Sequence, residues 1–435
     1  MKLKILLLYI CLVLLILIDP LSIISMVSFL CLGLLFTRIF FKVKDYYEYT
    51  FIFSIYTIIA IVIYWTNLAA FPLNFGCTGS EISGTDDLFF FQEATNNGFS
   101  YRGDRSSFMH NYSILLEKIH LIISTYKKTN LIDLMFLNIF FHSYIPVFCK
   151  KITFFFTKNK KASKLAFLLA VCSPFLIQHS LVLVRDGITA ALFIGIFYFY
   201  LNKKYLLALC FFILLSYLRL LTGGLTFLFI LGYIYFTGNK SVLLKYVLFF
   251  SLIGFMFLPL ITINLDRSGV ISEGIFRQSY FEYIKDGAKS GSGAVAILSL
   301  PTYLRIPLGT LYFIGTPFLN LKDTFSVNFI YLWPKISAFY SLFFVFYIVY
   351  FVRAFFAKKK HILNFLLLAF IILAVLFSQI SLELRHKTLI MPLLFIIVAI
   401  SYHRKSSKIV RLLSFFTAFI IVVLQLGFNL INFFN

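Results

Sequence analysis

Five arginines lie next to or between the apolar runs of this chain, and their side chains have the chemistry of anion binding. They are Arg185, Arg219, Arg277, Arg305 and Arg385. A cation close to lipid is costly and usually faces a cavity or a binding partner, and the planar guanidinium binds phosphate or carboxylate oxygens through two parallel hydrogen bonds. As a set, the arginines predict a site for an anionic lipid headgroup. Each one taken alone is equally compatible with reaching the membrane interface or pairing with a nearby acid such as Asp186 or Glu383.

Three further side chains have the chemistry of a general base. Asp86 and Asp87 are adjacent in the first long connection, where a carboxylate can take a proton from a hydroxyl group or bind a divalent metal. Such a pair also caps helices, so a solvated turn ahead of the next apolar run explains it equally well. His386 follows an arginine at a helix end and is the third candidate, as a base or a phosphate donor. His142 and His179 lie within apolar runs and are interpreted as internally hydrogen-bonded.

The composition places these residues in a membrane protein. Of the 435 residues, 61% are hydrophobic and 13% are charged, whereas soluble domains average about half apolar and about a quarter charged. Apolar runs long enough to cross about 30 Å of hydrocarbon recur along the whole chain. The sequence therefore predicts an all-α, polytopic membrane helical bundle that forms one integral domain over residues 1–435. A water-soluble domain is excluded.

The apolar runs predict about thirteen transmembrane helices. Their expected bounds are 4–18, 21–37, 49–68, 131–149, 165–183, 187–201, 205–218, 222–237, 246–264, 336–352, 362–380, 388–402 and 411–431. Every second connection is rich in lysine and arginine, and the positive-inside rule makes these connections cytoplasmic. The N-terminus is then cytoplasmic, and the five arginines fall on the external side.

Two long connections are expected on that external side. Residues 69–130 form external loop 1, in which the stretch from Tyr112 to Tyr126 has the spacing of a helix lying at the membrane interface. Residues 265–335 form external loop 2, which ends in an apolar segment interrupted by prolines and Arg305. A full crossing there would move the following basic cluster outside. A re-entrant or interfacial element that lines a cavity is therefore predicted.

Several classes of function are disfavoured by what the sequence lacks. The net charge of +22 lies in clusters between apolar runs with no base-reading motif, so nucleic acid is not an expected partner. No GxxxxGK[ST], HExxH, GxSxG or CxxC motif occurs, which argues against ATP-driven transport and zinc proteolysis. No convincing internal repeat supports secondary transport. No cofactor and no metal are predicted.

Part of the chain resembles the integral-membrane polysaccharide polymerases of bacterial surface-glycan assembly, the Wzy class with its EpsG-like branch. The resemblance lies within about residues 80–225 and consists of Gly84-Thr85-Asp86 followed by aromatic residues, Arg185-Asp186 opening a helix, and the turn Lys203-Lys204. Members of the EpsG type often carry a histidine near the position of Arg219, so this chain departs from the pattern there.

The resemblance implies a metal-independent glycosyltransferase at the periplasmic face of a bacterial inner membrane. It would join undecaprenyl-pyrophosphate-linked oligosaccharide repeat units into O-antigen or capsular polysaccharide. The arginines would neutralise the pyrophosphate leaving group, and Asp86, Asp87 or His386 would activate the acceptor hydroxyl. The further partners it implies are membrane lipid and a protein that controls chain length.

Two other functions stay open. A GT-C type glycosyltransferase with a lipid-phosphate-sugar donor is favoured by the acidic pair ahead of an amphipathic loop helix, although this loop follows the third helix and not the first. A flippase for lipid-linked oligosaccharide needs a charged path through the bundle, whereas the mid-helix positions here are nearly free of charge. A metal requirement would favour the GT-C enzyme, and a flippase should survive loss of any single catalytic base.

Overall fold

The fold was analysed in a computed structural model, which describes residues 2–70, 86–95, 107–237, 300, 302–315, 332–356, 361–380, 387–404 and 407–434. Within these ranges the regular structure is helical throughout and no strand occurs. The predicted all-α fold class is therefore confirmed. The predicted span 246–264 lies outside the described residues.

The first half of the chain forms twelve of the described helices. They are α1 (Lys2–Ile18), α2 (Ser22–Phe40), α3 (Val43–Ala70), α4 (Asp86–Thr95), α5 (Ser107–Ser124), α6 (Leu131–His142), α7 (Tyr144–Thr157), α8 (Lys160–Val171), α9 (Pro174–Leu181), α10 (Arg185–Leu201), α11 (Tyr205–Leu218) and α12 (Leu220–Thr237). The second half adds α13 (Thr302–Gly315), α14 (Leu332–Phe355), α15 (His361–Ile380), α16 (Lys387–Tyr402) and α17 (Lys408–Phe434).

The centre of the bundle is formed by α10 and α16. Nearly every residue of α10 is buried, as are all residues of α16 from Lys387 to Ser401. The two helices pack against each other, and α10 also contacts α6, α7 and α11. A helix that is apolar on all sides can face either lipid or other helices, and the burial of α10 and α16 on all sides places both inside the bundle.

Four helical segments are long and apolar enough to cross a membrane: Ser22–Phe40, Asp45–Trp65, Leu131–Thr157 and Leu220–Thr237. The pair α8 and α9 adds a fifth if the two are counted as one span. Several shorter apolar helices accompany them, among them Tyr205–Leu218 and Ile362–Ser378. The structure thus supports a membrane-embedded helical protein, whereas the number of thirteen crossings stays a prediction.

The helices around residues 131–183 differ from the predicted bounds for local reasons. The crossing expected to end at residue 149 continues through α7 to Thr157, and Lys150 and Lys151 within it form ion pairs with Glu48 and Asp45 of α3. The crossing expected over 165–183 is bent by 47° between α8 and α9. Ser173 caps α9 and Pro174 occupies its first position, where its missing N–H disturbs no helical hydrogen bond.

External loop 1 contains two packed helices. The Phe90 ring on α4 meets the Tyr112 ring on α5 edge to face at 5.0 Å, and Ser113 donates a hydrogen bond to the buried Glu93. Most of the stretch predicted as helical lies in α5, which also contacts α6 and α11. The position of α5 at the membrane interface stays a prediction.

Ion pairs gather at two opposite ends of the first helices. At one end Lys127 Nζ lies 2.5 Å from Asp19, next to the start of α2. At the other end Lys151 Nζ lies 2.6 Å from Asp45, beyond the end of α2. The 19 residues of α2 separate these ends by about 28 Å. The sequence assigned the first end to the external side and the second to the cytoplasm, and that orientation stays a prediction.

Candidate functional site

Arg185 and Arg219 come together where two packed helices end. Arg185 is the first residue of α10, and Arg219 separates α11 from α12 in an extended conformation. Because α10 and α11 are of similar length and are joined by a tight turn, the start of one lies beside the end of the other. Arg219 Nη1 lies 2.5 Å from Asp186 Oδ1, and Arg185 Nη1 donates to the carbonyl oxygen of Leu218 at 3.4 Å. We refer to Arg185, Asp186 and Arg219 as the arginine cluster.

The arginine cluster is largely, but not fully, enclosed. The exposed fraction of the side chain is 12% for Arg219 and 7% for Asp186. The cluster holds two guanidinium groups and one carboxylate, and it lies at the N-terminus of α10, where unpaired backbone N–H groups favour anions. Such an arrangement of charge is suited to binding phosphate oxygens.

Asn138 of α6 fixes the extended segment that leads into Arg185. Its side-chain amide donates to the carbonyl oxygens of Val182 at 2.6 Å and Val184 at 3.0 Å. Its Oδ1 accepts a hydrogen bond from the Tyr112 hydroxyl at 3.0 Å. A buried amide that uses both its oxygen and its nitrogen in this way holds three segments in one arrangement.

Helix α5 of external loop 1 contacts the helix end that carries Arg219. Asn111 donates to the carbonyl oxygen of Tyr217, two residues before Arg219, at 2.6 Å. Tyr112 is fully buried. Burial raises the pKa of its hydroxyl, and the nearby Asp186 carboxylate adds to this increase. The loop helix and the cluster therefore form one site.

Gly187 brings the start of α10 directly against a histidine of α6. A Cβ atom at this position would lie 1.5 Å from Cε1 of His142, so only glycine fits. His142 Nδ1 hydrogen-bonds to the Asn138 carbonyl oxygen at 3.0 Å. Its buried Nε2 has no hydrogen-bond partner among the described residues. The sequence offered Gly187 as a neighbour of Asp186 and gave no sign of this contact.

His179 connects this region to the start of α16. Its Nδ1 lies 2.8 Å from the Phe175 carbonyl oxygen and 3.1 Å from the Thr388 hydroxyl. His142 and His179 are close enough to interact electrostatically. Both histidines are thus engaged inside the bundle, and they join the beginning of α10 to the beginning of α16.

Lys387, the first residue of α16, is enclosed by aromatic rings. Its Nζ lies 4.7, 5.5 and 5.7 Å from the ring centroids of Tyr340, Phe175 and Phe313. It also donates to the carbonyl oxygen of Ile314 at 3.0 Å, and only 1% of the residue is exposed. Sequence reasoning did not select Lys387 as a site residue, although a lysine on the predicted external side was a usable signal.

Arg305 lies on α13, which supports α16 from another side. The Thr310 hydroxyl of α13 is 3.1 Å from the Ser378 hydroxyl of α15. The carbonyl oxygen of Ile314, near the end of α13, accepts a hydrogen bond from Lys387. No contact between described residues joins Arg305 to Arg185 or Arg219. Among the described contacts, the structure therefore brings two of the five predicted arginines together, and the role of Arg305 stays a prediction.

The structure describes the remaining predicted site residues only in part. Asp86 and Asp87 are the first two residues of α4, which packs along α5, and their side chains lie outside the described part of the chain. Arg277, Arg385 and His386 also lie outside it. His386 and Arg385 immediately precede Lys387 in sequence. Among the described residues no group of three or more His, Cys, Asp or Glu side chains is arranged to hold a metal ion.

An apolar cleft begins close to the arginine cluster. It has a volume of about 130 Å³ and lies between α12 and α15, where Leu225 and Phe229 face Ala369 and Leu373. Leu225 follows Arg219 by six residues, which corresponds to about 9 Å along a helix axis. The arginine cluster thus lies just before the start of α12, and the apolar cleft begins further along that helix.

Comparison with known proteins identifies no relative. No protein-family model, no curated protein and no solved structure gives a significant match to this chain. The arrangement of the chain's own residues therefore carries the functional argument.

Proposed function

We propose that this chain is a membrane-embedded polymerase. It joins undecaprenyl-pyrophosphate-linked oligosaccharide repeat units into O-antigen or capsular polysaccharide at the periplasmic face of a bacterial inner membrane. The observation that carries the proposal is the meeting of Arg185 and Arg219 at the end of α11. Arg219 pairs there with Asp186, Arg185 donates to the Leu218 carbonyl oxygen, and α5 of external loop 1 contacts the same helix end. This cluster has the charge and the hydrogen-bond donors that a pyrophosphate leaving group requires.

The reaction breaks one bond and forms another at the same carbon. The acceptor hydroxyl oxygen attacks the anomeric carbon of the growing glycan, a new glycosidic bond forms, and the bond to undecaprenyl pyrophosphate breaks. The base takes the hydroxyl proton, and the departing pyrophosphate keeps the bonding electrons. Cations fixed beside the leaving group stabilise the charge that develops on it.

Asp186 has a positioning role in this scheme. Its carboxylate holds one edge of the Arg219 guanidinium. Because 12% of the Arg219 side chain is exposed, a phosphate oxygen can approach the guanidinium that Asp186 orients. Arg277, Arg305 and Arg385 are proposed as further contacts to the pyrophosphate.

The apolar cleft between α12 and α15 supports a lipid-linked substrate. A lipid carrier needs a polar site for its headgroup and an apolar surface for its isoprenoid chain. Leu225 begins such a surface one to two helical turns from Arg219.

Asp86, Asp87 and His386 are the proposed bases for the acceptor hydroxyl. The acidic pair opens α4, whose partner α5 reaches the arginine cluster. His386 directly precedes α16, and α16 packs against α10. The proposal needs neither a metal nor a cofactor. We also propose that the N-terminus is cytoplasmic and that a protein partner controls the length of the glycan.

A GT-C type glycosyltransferase is the second candidate. It is favoured by one observation, the position of Asp86 and Asp87 at the start of a helix that packs over the cluster through α5. In such an enzyme a lipid-phosphate-sugar would donate a single sugar, and the acidic pair would bind a divalent metal. Loss of activity on chelation would favour this candidate.

The proposal is tested by deleting the gene in the native host and separating the surface glycan on a gel. Complementation uses the wild-type gene, Arg185→Ala, Arg219→Ala and, as a matched control, Arg411→Ala on the exposed surface of α17. We expect the deletion strain to carry only single repeat units. The wild-type gene and Arg411→Ala restore the ladder, whereas Arg185→Ala and Arg219→Ala do not, at equal amounts of inserted protein.

Two results would contradict the proposal. A normal ladder in the deletion strain shows that the chain is not the polymerase. If the deletion strain makes a ladder of normal length in which each repeat unit lacks a sugar, the chain is a GT-C type glycosyltransferase and not a polymerase.

A further inference from the structure

A second site lies at the other end of α5, away from the arginine cluster. There α4, α5 and the turn at residues 125–130 surround a cavity of about 630 Å³. This volume lies within the range of about 300–1,000 Å³ that small-molecule sites occupy. The cavity shares no lining residue with the arginine cluster.

The wall formed by the turn is held by contacts to three other segments. Tyr126 and Ser25 of α2 join their hydroxyl groups at 3.1 Å. His120 Nδ1 on α5 lies 2.8 Å from the Thr129 hydroxyl. Lys127 is fixed by Asp19 at 2.5 Å and Asp133 at 2.8 Å. A cavity with such a wall keeps its shape before a ligand arrives, which lowers the entropic cost of binding.

The lining is polar and carries one exposed cation, Lys128. Gln92, Thr95, Ser124 and Thr129 contribute amide and hydroxyl groups, and Phe91 and Tyr126 contribute aromatic rings. None of the described lining residues is acidic. The charge of Lys127 is offset by two carboxylates, and burial lowers the pKa of His120.

This combination of groups fits a carbohydrate. Amides and hydroxyl groups both donate and accept hydrogen bonds, as sugar hydroxyls do, and an aromatic ring offers an apolar face to the C–H face of a sugar. An isoprenoid chain would leave these polar groups without partners. The exposed Lys128 also suits a sugar unit that carries an acidic group.

We propose that this cavity binds a sugar unit of the lipid-linked oligosaccharide, separately from the site that binds its pyrophosphate. The inference rests on the proposed function, which supplies the glycan. It assigns Gln92, His120 and Ser124 to glycan recognition, and none of them has a role in the chemical step.

Helix α5 sets the distance between the two sites. Tyr112 lies at the arginine cluster, whereas His120 and Ser124 lie 8 and 12 residues further along the same helix. This separation corresponds to about 12–18 Å at 1.5 Å per residue, the scale of a short oligosaccharide. A glycan whose pyrophosphate occupies the cluster would extend along α5 into the cavity.

The test compares two substitutions in the last turn of α5. Ser124→Trp fills the cavity. Ile122→Trp adds a similar volume at a residue that is 67% exposed and does not line the cavity. The full-length protein, in lipid nanodiscs, is titrated with the host's single-repeat oligosaccharide released from its carrier and, separately, with sugar-free undecaprenyl pyrophosphate.

We expect Ser124→Trp to bind the oligosaccharide at least about tenfold more weakly than wild type, because two or three hydrogen bonds and a ring contact are displaced. Binding of undecaprenyl pyrophosphate should stay unchanged, which also shows that the variant is folded. Ile122→Trp should match wild type with both probes. Gln92→Ala, which removes one amide, should weaken only the oligosaccharide.

The outcomes separate this inference from the proposed function. Wild-type affinity of Ser124→Trp for the oligosaccharide overturns the cavity assignment, and so does a wild-type protein that binds undecaprenyl pyrophosphate but no oligosaccharide. A wild-type protein that binds neither probe overturns the proposed function itself.

Discussion

Two charged clusters at the same end of the bundle differ in the balance of their charges. The arginine cluster holds two guanidinium groups and one carboxylate, and Arg219 keeps 12% of its side chain exposed. The second cluster consists of one lysine, Lys127, and two carboxylates, Asp19 and Asp133, and the side chain of Lys127 is only 3% exposed. We call it the lysine cluster.

The difference indicates which cluster binds a ligand and which one holds the fold. A buried lysine between two carboxylates has no positive charge left for an anion, and its removal leaves the acids unpaired. Two arginines beside one carboxylate at a helix N-terminus are suited to phosphate. Charge balance and exposure therefore discriminate between the clusters, whereas residue type alone does not.

The largest expected effect is on stability and concerns the lysine cluster. Lys127→Ala should lower the free energy of unfolding by about 3 kcal/mol, because it leaves Asp133 buried without its charge partner. Thermal unfolding of the detergent-solubilised protein measures this loss. The folded fraction should keep its affinity for undecaprenyl pyrophosphate, which is proposed to bind at the arginine cluster. A stable variant that has lost this affinity would reverse the assignment of the two clusters.

The arginine cluster should respond in the opposite way. Arg185→Ala should reduce polymerisation at least about 100-fold, the loss typical of removing one donor to a developing anion. The loss of stability should be smaller than for Lys127→Ala, because Arg185 is only partly buried whereas Lys127 lies between two carboxylates. Gel separation of the glycan and thermal unfolding are measured on the same preparation, with Arg411→Ala as control. Full activity in Arg185→Ala would remove this residue from the site.

A smaller effect is expected where the arginine cluster meets α6. Gly187→Ala should lower the free energy of unfolding by about 1–3 kcal/mol, because the new methyl group overlaps the His142 ring. His142→Ala in the same chain should restore part of this loss by making space. Thermal unfolding of both single variants and the double variant measures the coupling. If the stability losses of Gly187→Ala and His142→Ala simply add in the double variant, the two side chains do not compete for space.

The smallest effect concerns the pH dependence of the lysine cluster. Burial alone would raise the pKa of Asp19, but hydrogen bonds from Lys127 and Ser22 outweigh it and the pKa is lowered. Its stabilising contribution is therefore present above the unfolded-state pKa of about 3.9 and is lost as pH falls through the folded-state value. Asp19→Asn should flatten the decline of the melting temperature between about pH 5 and pH 3. If the melting temperatures of Asp19→Asn and wild type fall in parallel with pH, Asp19 does not have this role.

The sequence predicted those features that follow from local pattern. Apolar runs and their basic boundaries predicted most described helices, and the spacing after Tyr112 predicted the loop helix α5. The pairing of Arg219 with Asp186 was among the alternatives left open for each arginine. The break before Pro174 also had a local signal, Ser173-Pro174, within an apolar run that was interpreted as one crossing.

The features that were missed depend on contacts between distant segments. Asn138 holds a segment 44 to 46 residues away, and Gly187 fits against His142 of another helix. Lys387 is surrounded by rings from α9, α13 and α14. Such pairings depend on how helices pack, and periodicity within one helix does not encode its neighbours.

The central claim is tested most directly by reconstitution. The purified protein in lipid vesicles receives lipid-linked single repeat units as its only substrate, without nucleotide and with chelator present. The account predicts a ladder of products longer than one repeat unit from the wild-type protein and from Arg411→Ala, and only single units from Arg185→Ala. Failure of the folded wild-type protein to form any product longer than one unit would contradict the account.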